Sequence, residues 1–200
     1  MSYCALIATK KIAIFGGSFD PIHNGHLYLI TSILDSKIFE RLIVIPAGDP
    51  WQKEMHASKL DRLAMTRMAL KGKRVDVDDC EVSRTGPSYA IDTAKHLIEN
   101  EPEAQYTWII GSDALQNIAS WHRFEELTKI VDFLVIIRPG HAIETANVHA
   151  EVKWSSMEIK ALDISATAVR HLLAEGRDVS HFIPQEVHRY IIEKRLYGAA

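Results

Sequence analysis

The stretch IAIFGGSFDPIHNGH, residues 12–26, carries the strongest indication of the fold. Its first four residues are continuously apolar, which is typical of a strand buried on both faces of a parallel sheet. Gly16 and Gly17 end the apolar run and allow the backbone to approach a ligand closely, and a helical pattern begins near Asn24. A strand, a glycine-rich loop and a helix in this order predict the start of a βαβ unit.

The same alternation continues along the chain. We predict strands at 12–15, 42–45, 75–77, 106–110 and 133–137, and helices at 26–34, 59–70, 89–98, 124–130, from about 166 to 174 and at 184–195. Strands that alternate with helices predict a mostly parallel sheet. The predicted fold class is therefore α/β, with a doubly wound, Rossmann-like sheet and a small helical C-terminal end.

The predicted elements also indicate where a ligand would bind. We interpret residues 1–200 as one domain, in which the C-terminal helical segment covers about 164–197. Ser88 is predicted to cap the helix that follows it. In doubly wound sheets, ligands bind at the carboxyl ends of the strands, near the switch in strand order. The candidate site is therefore formed by the loops that follow Phe15, Ile45, Ile110 and Ile137.

The composition is that of an ordinary globular domain and excludes several classes of protein. The chain has 200 residues, 47% of them hydrophobic and 24% charged, and a net charge of −3. No apolar run approaches the roughly 20 residues that a membrane span needs. We expect a cytoplasmic protein without a signal peptide, in which Cys4 and Cys80 stay reduced. The near-neutral balance argues against nonspecific binding of nucleic acid, which needs a basic face.

The loop from Gly16 to His26 is the strongest candidate for a phosphate site. His23 and His26 lie across the predicted helix start, where free N–H groups and the helix dipole favour phosphate. The spacing differs from the P-loop and from G-x-G-x-x-G. A glycine-rich turn with two locally hydrogen-bonded histidines is the structural alternative. A zinc site is a weaker one, because no third ligand lies nearby in the sequence.

GSFDPIHNGH resembles the GxFDPxHxGH signature of the nucleotidyltransferase superfamily with the HxGH motif. Further motifs are similar, in the same order, to those of bacterial nicotinate-nucleotide adenylyltransferases. They are PAGDPWQK at 46–53, GPSY at 86–89 with Asp92 and Thr93, WIIGSD at 108–113, SW at 120–121, RPG at 138–140 and ISATAVR at 164–170. The resemblance extends from about Ile12 to Tyr197.

This resemblance implies a reaction. The adenylyl group of ATP would pass to nicotinate mononucleotide, giving nicotinate adenine dinucleotide and pyrophosphate in NAD biosynthesis. Mg²⁺ would accompany ATP, bound by phosphate oxygens and water with few dedicated protein ligands. The attacking phosphate is already anionic and needs no general base. Hydrogen-bond donors and cations should therefore dominate the site, because the reaction needs alignment and charge neutralisation.

The resemblance also implies which residues act. His23, His26, Lys53 and Arg170 would contact the reacting phosphates. The residues expected around ATP are Gly16, Gly17, Ser18, Phe19, Gly25, Gly111, Asp113, Arg138, Ser165 and Thr167. The residues expected around nicotinate mononucleotide are Ser88, Tyr89, Ala90 and Trp121. The two histidines would join Lys53, Arg138 and Arg170 in concentrating positive charge around one crevice.

Several alternatives remain open at this level. Asp113 could cap the helix after it, and Trp121 could be a half-buried core residue. Ala90 stands where family members often have Thr, so the preference for nicotinate over nicotinamide stays open. The rival functions are pantetheine-phosphate adenylyltransferase, an adenylyltransferase that prefers nicotinamide mononucleotide, and a non-catalytic nucleotide sensor. Whether the chain forms a homo-oligomer, and whether the 48–58 loop closes on substrate, also stay open.

Overall fold

A computed structural model of the chain describes residues 9–51, 53–137, 148–160 and 162–199. The strands are β1 (Lys11–Gly17), β2 (Arg41–Pro46), β3 (Asp76–Val77), β4 (Gln105–Gly111), β5 (Asp132–Ile137) and β6 (Trp154–Glu158). The helices are α1 (Asn24–Asp35), α2 (Lys59–Leu70), α3 (Cys80–Ser83), α4 (Ala90–Asn100), α5 (Ser112–Gln116), α6 (Phe124–Ile130), α7 (Ala166–Ala174) and α8 (Gln185–Lys194). Short 3₁₀ turns cover Ile118–Ser120 and Leu196–Gly198.

The six strands form one sheet in the order β3-β2-β1-β4-β5-β6, and every described pairing is parallel. This is a doubly wound order, in which the connection changes direction between β1 and β4. Pairing between these two strands ends at Ile14 and Trp108, although the strands continue to Gly17 and Gly111. The carboxyl ends of β1 and β4 therefore separate, and this opening is the crevice in which ligands of such sheets bind.

Apolar residues fill the space on both faces of the sheet. In β1, Ala13 belongs to one buried cluster and Ile12 and Ile14 belong to the other, because successive side chains point to opposite faces. One cluster includes buried side chains from α1, α2, α7 and α8, and the other includes side chains from α4, α5 and α6. Each fully buried isoleucine contributes about 1.5–3 kcal/mol to folding. Helices on both faces explain why the strands are continuously apolar.

Most of the predicted elements are confirmed. The predicted helices at 59–70 and 124–130 agree with α2 and α6 at both ends. The prediction missed β6, because this edge strand has the sequence WSSME and is largely exposed. Edge strands lack the apolar run that identifies a central strand. It also placed Gly16 and Gly17 in a loop, whereas both residues belong to β1.

The predicted capping role of Ser88 is wrong. The N-cap of α4 is Tyr89, which makes no side-chain capping bond. The Ser88 hydroxyl oxygen instead accepts the amide N–H groups of Gly48 and Asp49 at 2.9 and 3.0 Å. Ser88 therefore joins the loop before α4 to the loop after β2. Within the described residues, no helix is long and apolar enough to cross a membrane.

Candidate active site

Two cavities open at the carboxyl ends of the strands and share a boundary. The larger cavity, of about 580 Å³, reaches from the start of α1 to the start of α7. The smaller cavity, of about 280 Å³, lies beside the start of α4, and its lining includes three tryptophans and a tyrosine. Ser18 and Lys53 line both cavities. We call them the phosphate cavity and the aromatic cavity.

The start of α1 brings the two predicted histidines together in the phosphate cavity. His23 is the N-cap of the helix, and its ring stacks on the ring of His26 with the centroids 3.7 Å apart. The backbone N–H of His23 donates to Nδ1 of His26 at 3.2 Å. This bond requires an unprotonated Nδ1, so the neutral His26 ring carries its proton on Nε2. His26 can therefore donate an N–H to a ligand from a fixed ring orientation.

Both imidazoles are uncharged at neutral pH. Burial lowers the pKa of His23 to about 4. Burial also lowers the pKa of His26 well below its usual value, and the neighbouring His23 lowers it further. The expectation that these histidines supply positive charge is therefore wrong for the ligand-free protein. They supply N–H donors at the positive end of a helix dipole, and the charge must come from other residues.

Gly25 is required by the packing of the histidine pair. A Cβ atom at this position would lie 3.0 Å from two atoms of the His23 ring, closer than side chains normally approach. Since the His23 ring stacks on His26, a larger residue at position 25 would displace both rings. The glycine in the predicted HxGH motif thus has a direct steric cause.

Asp20 fixes the segment that follows Lys53, a role that the sequence analysis missed. Its carboxylate is buried and accepts the backbone N–H groups of His56 at 2.8 Å and Ala57 at 3.1 Å. It also accepts the hydroxyl of Tyr197 at 2.7 Å. Burial and this carboxylate both raise the pKa of Tyr197, so the phenol stays protonated and can donate. Asp20 thereby connects the loop after β1, the Lys53 segment and the C-terminal end of the described chain.

Arg62 is a second anchor that the sequence analysis missed. This side chain, on α2, is only 1% exposed. Its guanidinium donates to the carbonyl oxygens of Ser18 at 2.7 Å and Gly48 at 2.8 Å. Both carbonyls are consequently directed at Arg62. Carbonyl oxygens repel phosphate. Because Arg62 binds the carbonyl of Ser18, which lies at the boundary between the cavities, this arrangement favours an anion there.

The start of α7 forms the opposite wall of the phosphate cavity. Ser165 is the N-cap and accepts the backbone N–H of Ala168 at 3.1 Å. Thr167 lines the cavity with Ser165. Arg170 lies outside the lining residues and donates to the Asp20 carbonyl at 2.8 Å and to the Thr167 hydroxyl at 3.3 Å. The structure thus brings Arg170 next to the signature loop but not to the cavity surface.

The remaining residues predicted around ATP divide between the two cavities. Phe19, Gly25, Gly111 and Asp113 line the phosphate cavity, whereas Gly16 and Gly17 line the aromatic cavity. Asp113 lies inside α5, whose N-cap is Gly111 without a side-chain capping bond, so the alternative capping role for Asp113 is wrong. Arg138 lies outside the described residues.

Aromatic side chains form part of the wall of the smaller cavity. Trp121 is partly buried, and its ring meets Trp108 edge to face with the centroids 6.4 Å apart. Tyr89 stacks on His122 at 4.0 Å, and Trp51 lies 6.4 Å from Tyr89. The predicted residues Ser88, Tyr89, Ala90 and Trp121 all line this cavity. An aromatic wall with a helix start beside it can hold a flat ring that carries a carboxylate.

Glu81 is a buried acid in the wall of the aromatic cavity, and the sequence analysis missed it. It is 6% exposed, and its carboxylate accepts the Thr93 hydroxyl at 2.7 Å. Burial raises its pKa, although hydrogen bonds from Thr93 and Ser88 and the charge of Arg84 act in the opposite direction. Position 48 must be glycine here, because a Cβ would lie 2.0 Å from the Glu81 carbonyl oxygen.

Comparison with known proteins identifies relatives of this chain. A family model described as cytidylyltransferase-like matches residues 14–172. A probable nicotinate-nucleotide adenylyltransferase of Leifsonia xyli is 37% identical over 188 residues, covering 94% of each chain. One of Geobacillus thermodenitrificans is 36% identical over 192 residues, covering 94% of this chain and 87% of the relative.

A solved structure shares the fold. The Plasmodium falciparum nicotinic acid mononucleotide adenylyltransferase complexed with NaAD superposes with a TM-score of 0.81. The two proteins are 24% identical, and the match covers 96% of this chain and 98% of the other. The α/β fold class predicted from the sequence is thereby confirmed.

Proposed function

The chain belongs to the cytidylyltransferase-like family and, within it, to the nicotinate-nucleotide adenylyltransferases, and from this premise we propose how its two cavities perform that reaction. The enzyme transfers the adenylyl group of ATP to nicotinate mononucleotide and releases pyrophosphate. A phosphate oxygen of the mononucleotide attacks the α-phosphorus of ATP, and the bond from that phosphorus to the bridging β-oxygen breaks. The family resemblance drawn from the motifs is confirmed.

One observation carries the proposal about geometry: the two cavities meet at Ser18 and Lys53. Adenylyl transfer needs two phosphates from different substrates in line with each other. ATP in the phosphate cavity and the mononucleotide in the aromatic cavity would bring their phosphates to this shared boundary. Lys53 would then neutralise charge on both substrates as the reaction proceeds.

The histidine pair would bind the ATP phosphates through N–H groups. The Nε2–H of His26 and the start of α1 would stabilise the charge that develops on the α-phosphate, and His23 would act beside it. Neutral imidazoles suit this role, because the attacking phosphate is already ionised and no proton has to be abstracted. Lys53 and Arg170 would supply the positive charge.

The other wall of the phosphate cavity would hold the rest of ATP. We propose that Ser165, Thr167 and Arg170 act on the β- and γ-phosphates. This role for Arg170 requires its guanidinium to turn from the Asp20 carbonyl toward the nucleotide. The residues proposed for the remainder of ATP are Ser18, Phe19, Gly25, Gly111, Asp113 and Arg138, together with Gly16 and Gly17, which would contact it from the aromatic-cavity side of the shared boundary.

The aromatic cavity would select the pyridine nucleotide. Trp121 would stack on the ring, and the free N–H groups near Tyr89 and Ala90, at the start of α4, would bind its carboxylate. Ser88 would hold the loop that closes this end of the cavity. Ala90 can still offer its backbone N–H, so the missing threonine hydroxyl does not remove this interaction.

A divalent cation would accompany ATP, as nucleotidyltransferases of this kind generally use one with the nucleotide, and we propose Mg²⁺. It would neutralise phosphate charge while keeping water and phosphate oxygens as ligands. Asp113 lines the phosphate cavity and could contact such a hydrated ion, whereas both carboxylate oxygens of Asp20 already accept hydrogen bonds. We further propose that residues 1–200 form one domain that works in the cytoplasm.

Initial rates with three acceptors test the proposed function. ATP and Mg²⁺ are combined with nicotinate mononucleotide, nicotinamide mononucleotide or phosphopantetheine, and pyrophosphate and the nucleotide product are both measured. We expect the highest turnover with nicotinate mononucleotide. Equal or faster turnover of either competitor would contradict the assignment. Binding of ATP without turnover of any acceptor would instead favour a nucleotide sensor.

A further inference from the structure

Glu81 is a buried acid whose nearest hydrogen-bond partners are neutral. Its carboxylate accepts the Thr93 hydroxyl at 2.7 Å, and the neighbouring polar groups of Ser88 and Gly48 also act to lower its pKa. Two guanidinium groups lie in its surroundings, and both donate to other oxygens: Arg84 to the Thr93 hydroxyl at 3.3 Å and Arg62, whose pKa the Glu81 charge raises, to the Gly48 carbonyl at 2.8 Å. Among the ion pairs of the described residues, none includes Glu81.

Such a carboxylate is costly unless a cation approaches it. A buried charge is normally paired, because burial removes its hydration. Burial raises the pKa of Glu81 for the same reason. Glu81 is also part of the aromatic cavity wall, together with Tyr89 and Trp121. Glu81 therefore belongs to the layer of residues that surrounds a ligand in this cavity.

The proposed substrate contains a cation of the required kind. The pyridine nitrogen of nicotinate mononucleotide carries a glycosidic bond and a formal positive charge, which is delocalised over a flat ring. The faces of Trp121 and Tyr89 also attract such a cation. Phosphopantetheine has no positive charge, so an acid in this wall would discriminate against it.

We propose that Glu81 is a specificity residue that recognises the positive charge of the pyridinium ring, an inference that rests on the proposed function. The start of α4 would bind the ring carboxylate, and Glu81 would face the cationic part of the ring. The helix start would thus bind the negative carboxylate of the ring, and Glu81 would bind its positive part. Because residue 90 is alanine, the start of α4 offers only backbone N–H groups to the ring carboxylate. Glu81 adds recognition of the positive charge on the ring.

Equilibrium binding of two ligands isolates this effect. The ligands are nicotinate mononucleotide and its C-nucleotide analogue, 3-carboxyphenyl riboside 5′-phosphate, in which carbon replaces the ring nitrogen and the ring is neutral. Each is titrated calorimetrically into the protein in the presence of α,β-methylene ATP. We expect the wild-type protein to bind the pyridinium ligand roughly tenfold more tightly, the effect of one charge pair worth about 1.4 kcal/mol.

The variant Glu81→Gln should remove most of this discrimination. Its amide oxygen can still accept the Thr93 hydroxyl, so the cavity keeps its shape while the charge is lost. We expect the ratio of dissociation constants to fall to roughly twofold or less, mainly through weaker binding of the pyridinium ligand. Glu125→Gln, which removes an exposed acid of α6 outside both cavity walls, should leave the ratio unchanged.

Two results would overturn the inference. One is equal affinity of the wild-type protein for both ligands, which needs no variant. The other is a Glu81→Gln protein that loses affinity for both ligands by the same factor, as a purely structural role predicts. Turnover of nicotinate mononucleotide by the wild-type enzyme is measured in parallel. Absence of turnover would contradict the proposed function. Normal turnover, together with a ratio of dissociation constants that is the same in Glu81→Gln as in the wild-type protein, would contradict only the role of Glu81.

Discussion

Replacing Asp20 with asparagine tests how the signature loop holds the Lys53 segment. The carboxylate accepts three hydrogen bonds, from the backbone N–H of His56 on one oxygen and from Ala57 and Tyr197 on the other. An asparagine side chain has one oxygen, so its NH₂ group must face at least one of these donors. The variant Asp20→Asn therefore loses at least one bond and the charge that strengthens the others.

The expected loss of stability follows from these contacts. A hydrogen bond to a charged group contributes about 1.5–3 kcal/mol, so one bond lost and two weakened give roughly 3 kcal/mol. For a domain of this size, each kcal/mol lowers Tm by about 2–4 °C, and we expect a decrease of about 6–12 °C by differential scanning calorimetry. Because Lys53 lies three residues before His56, we also expect kcat to fall roughly tenfold through misalignment.

A matched variant separates the contacts of Asp20. Tyr197→Phe removes only the hydroxyl bond at 2.7 Å and should lower Tm by less than Asp20→Asn, with little change in kcat. The double variant should lose less stability than the sum of the two single variants, because both act on one shared contact. Unchanged Tm and kcat in Asp20→Asn would refute the reasoning that this buried carboxylate positions Lys53.

The remaining predictions concern the histidines and the aromatic cavity. His26→Ala should lower kcat by about 100-fold or more, because one oriented hydrogen-bond donor to the developing charge contributes this much to the rate. Circular dichroism should show an intact fold. Nearly normal turnover would assign the charge stabilisation to the helix start alone. His23 has a folded-state pKa lowered from 6.5 to about 4, so the unfolded state takes up its proton first as the pH falls. The contribution of neutral His23 to the free energy of unfolding is complete above pH 6.5 and is lost as the pH falls toward 4. Between about pH 7 and about pH 5 this loss is about 2 kcal/mol. Urea unfolding at the two pH values should show a smaller loss for His23→Asn than for the wild-type protein, and equal losses would contradict the lowered pKa. Trp121→Ala should raise KM for nicotinate mononucleotide more than KM for ATP, and the opposite pattern would remove the stacking role.

Local sequence patterns predicted most of the fold, because central strands and amphipathic helices have distinct periodicities. Both ends of helix α2 agree with the prediction. At its N-terminus, Ser58 is the cap and accepts the backbone N–H of Asp61. Strand β6 was missed because its polar sequence reflects an edge position, and strand order is a property of the assembled sheet. The same limit applies to Ser88, whose backbone donors are 39 and 40 residues away in sequence.

The candidate site likewise contains residues that local sequence patterns predict and residues that only the folded structure brings together. The histidine motif and the aromatic residues around Tyr89 and Trp121 form recognisable sequence patterns, and the structure brings them to two adjoining cavities. The anchoring bonds of Asp20 and Arg62 join residues far apart in sequence, including Asp20 with Tyr197. The neutral state of His26 depends on burial and on the neighbouring ring, neither of which the motif contains.

A crystal structure with nicotinate adenine dinucleotide bound tests the central claim most directly. The claim is that the two cavities hold the two halves of the product and meet at Ser18 and Lys53. We predict the pyridine ring against Trp121, the adenosine in the phosphate cavity, and the two phosphates at the shared boundary within hydrogen-bond distance of His26. A dinucleotide bound with its ring outside the aromatic cavity, or with its phosphates away from Ser18 and Lys53, would contradict the account.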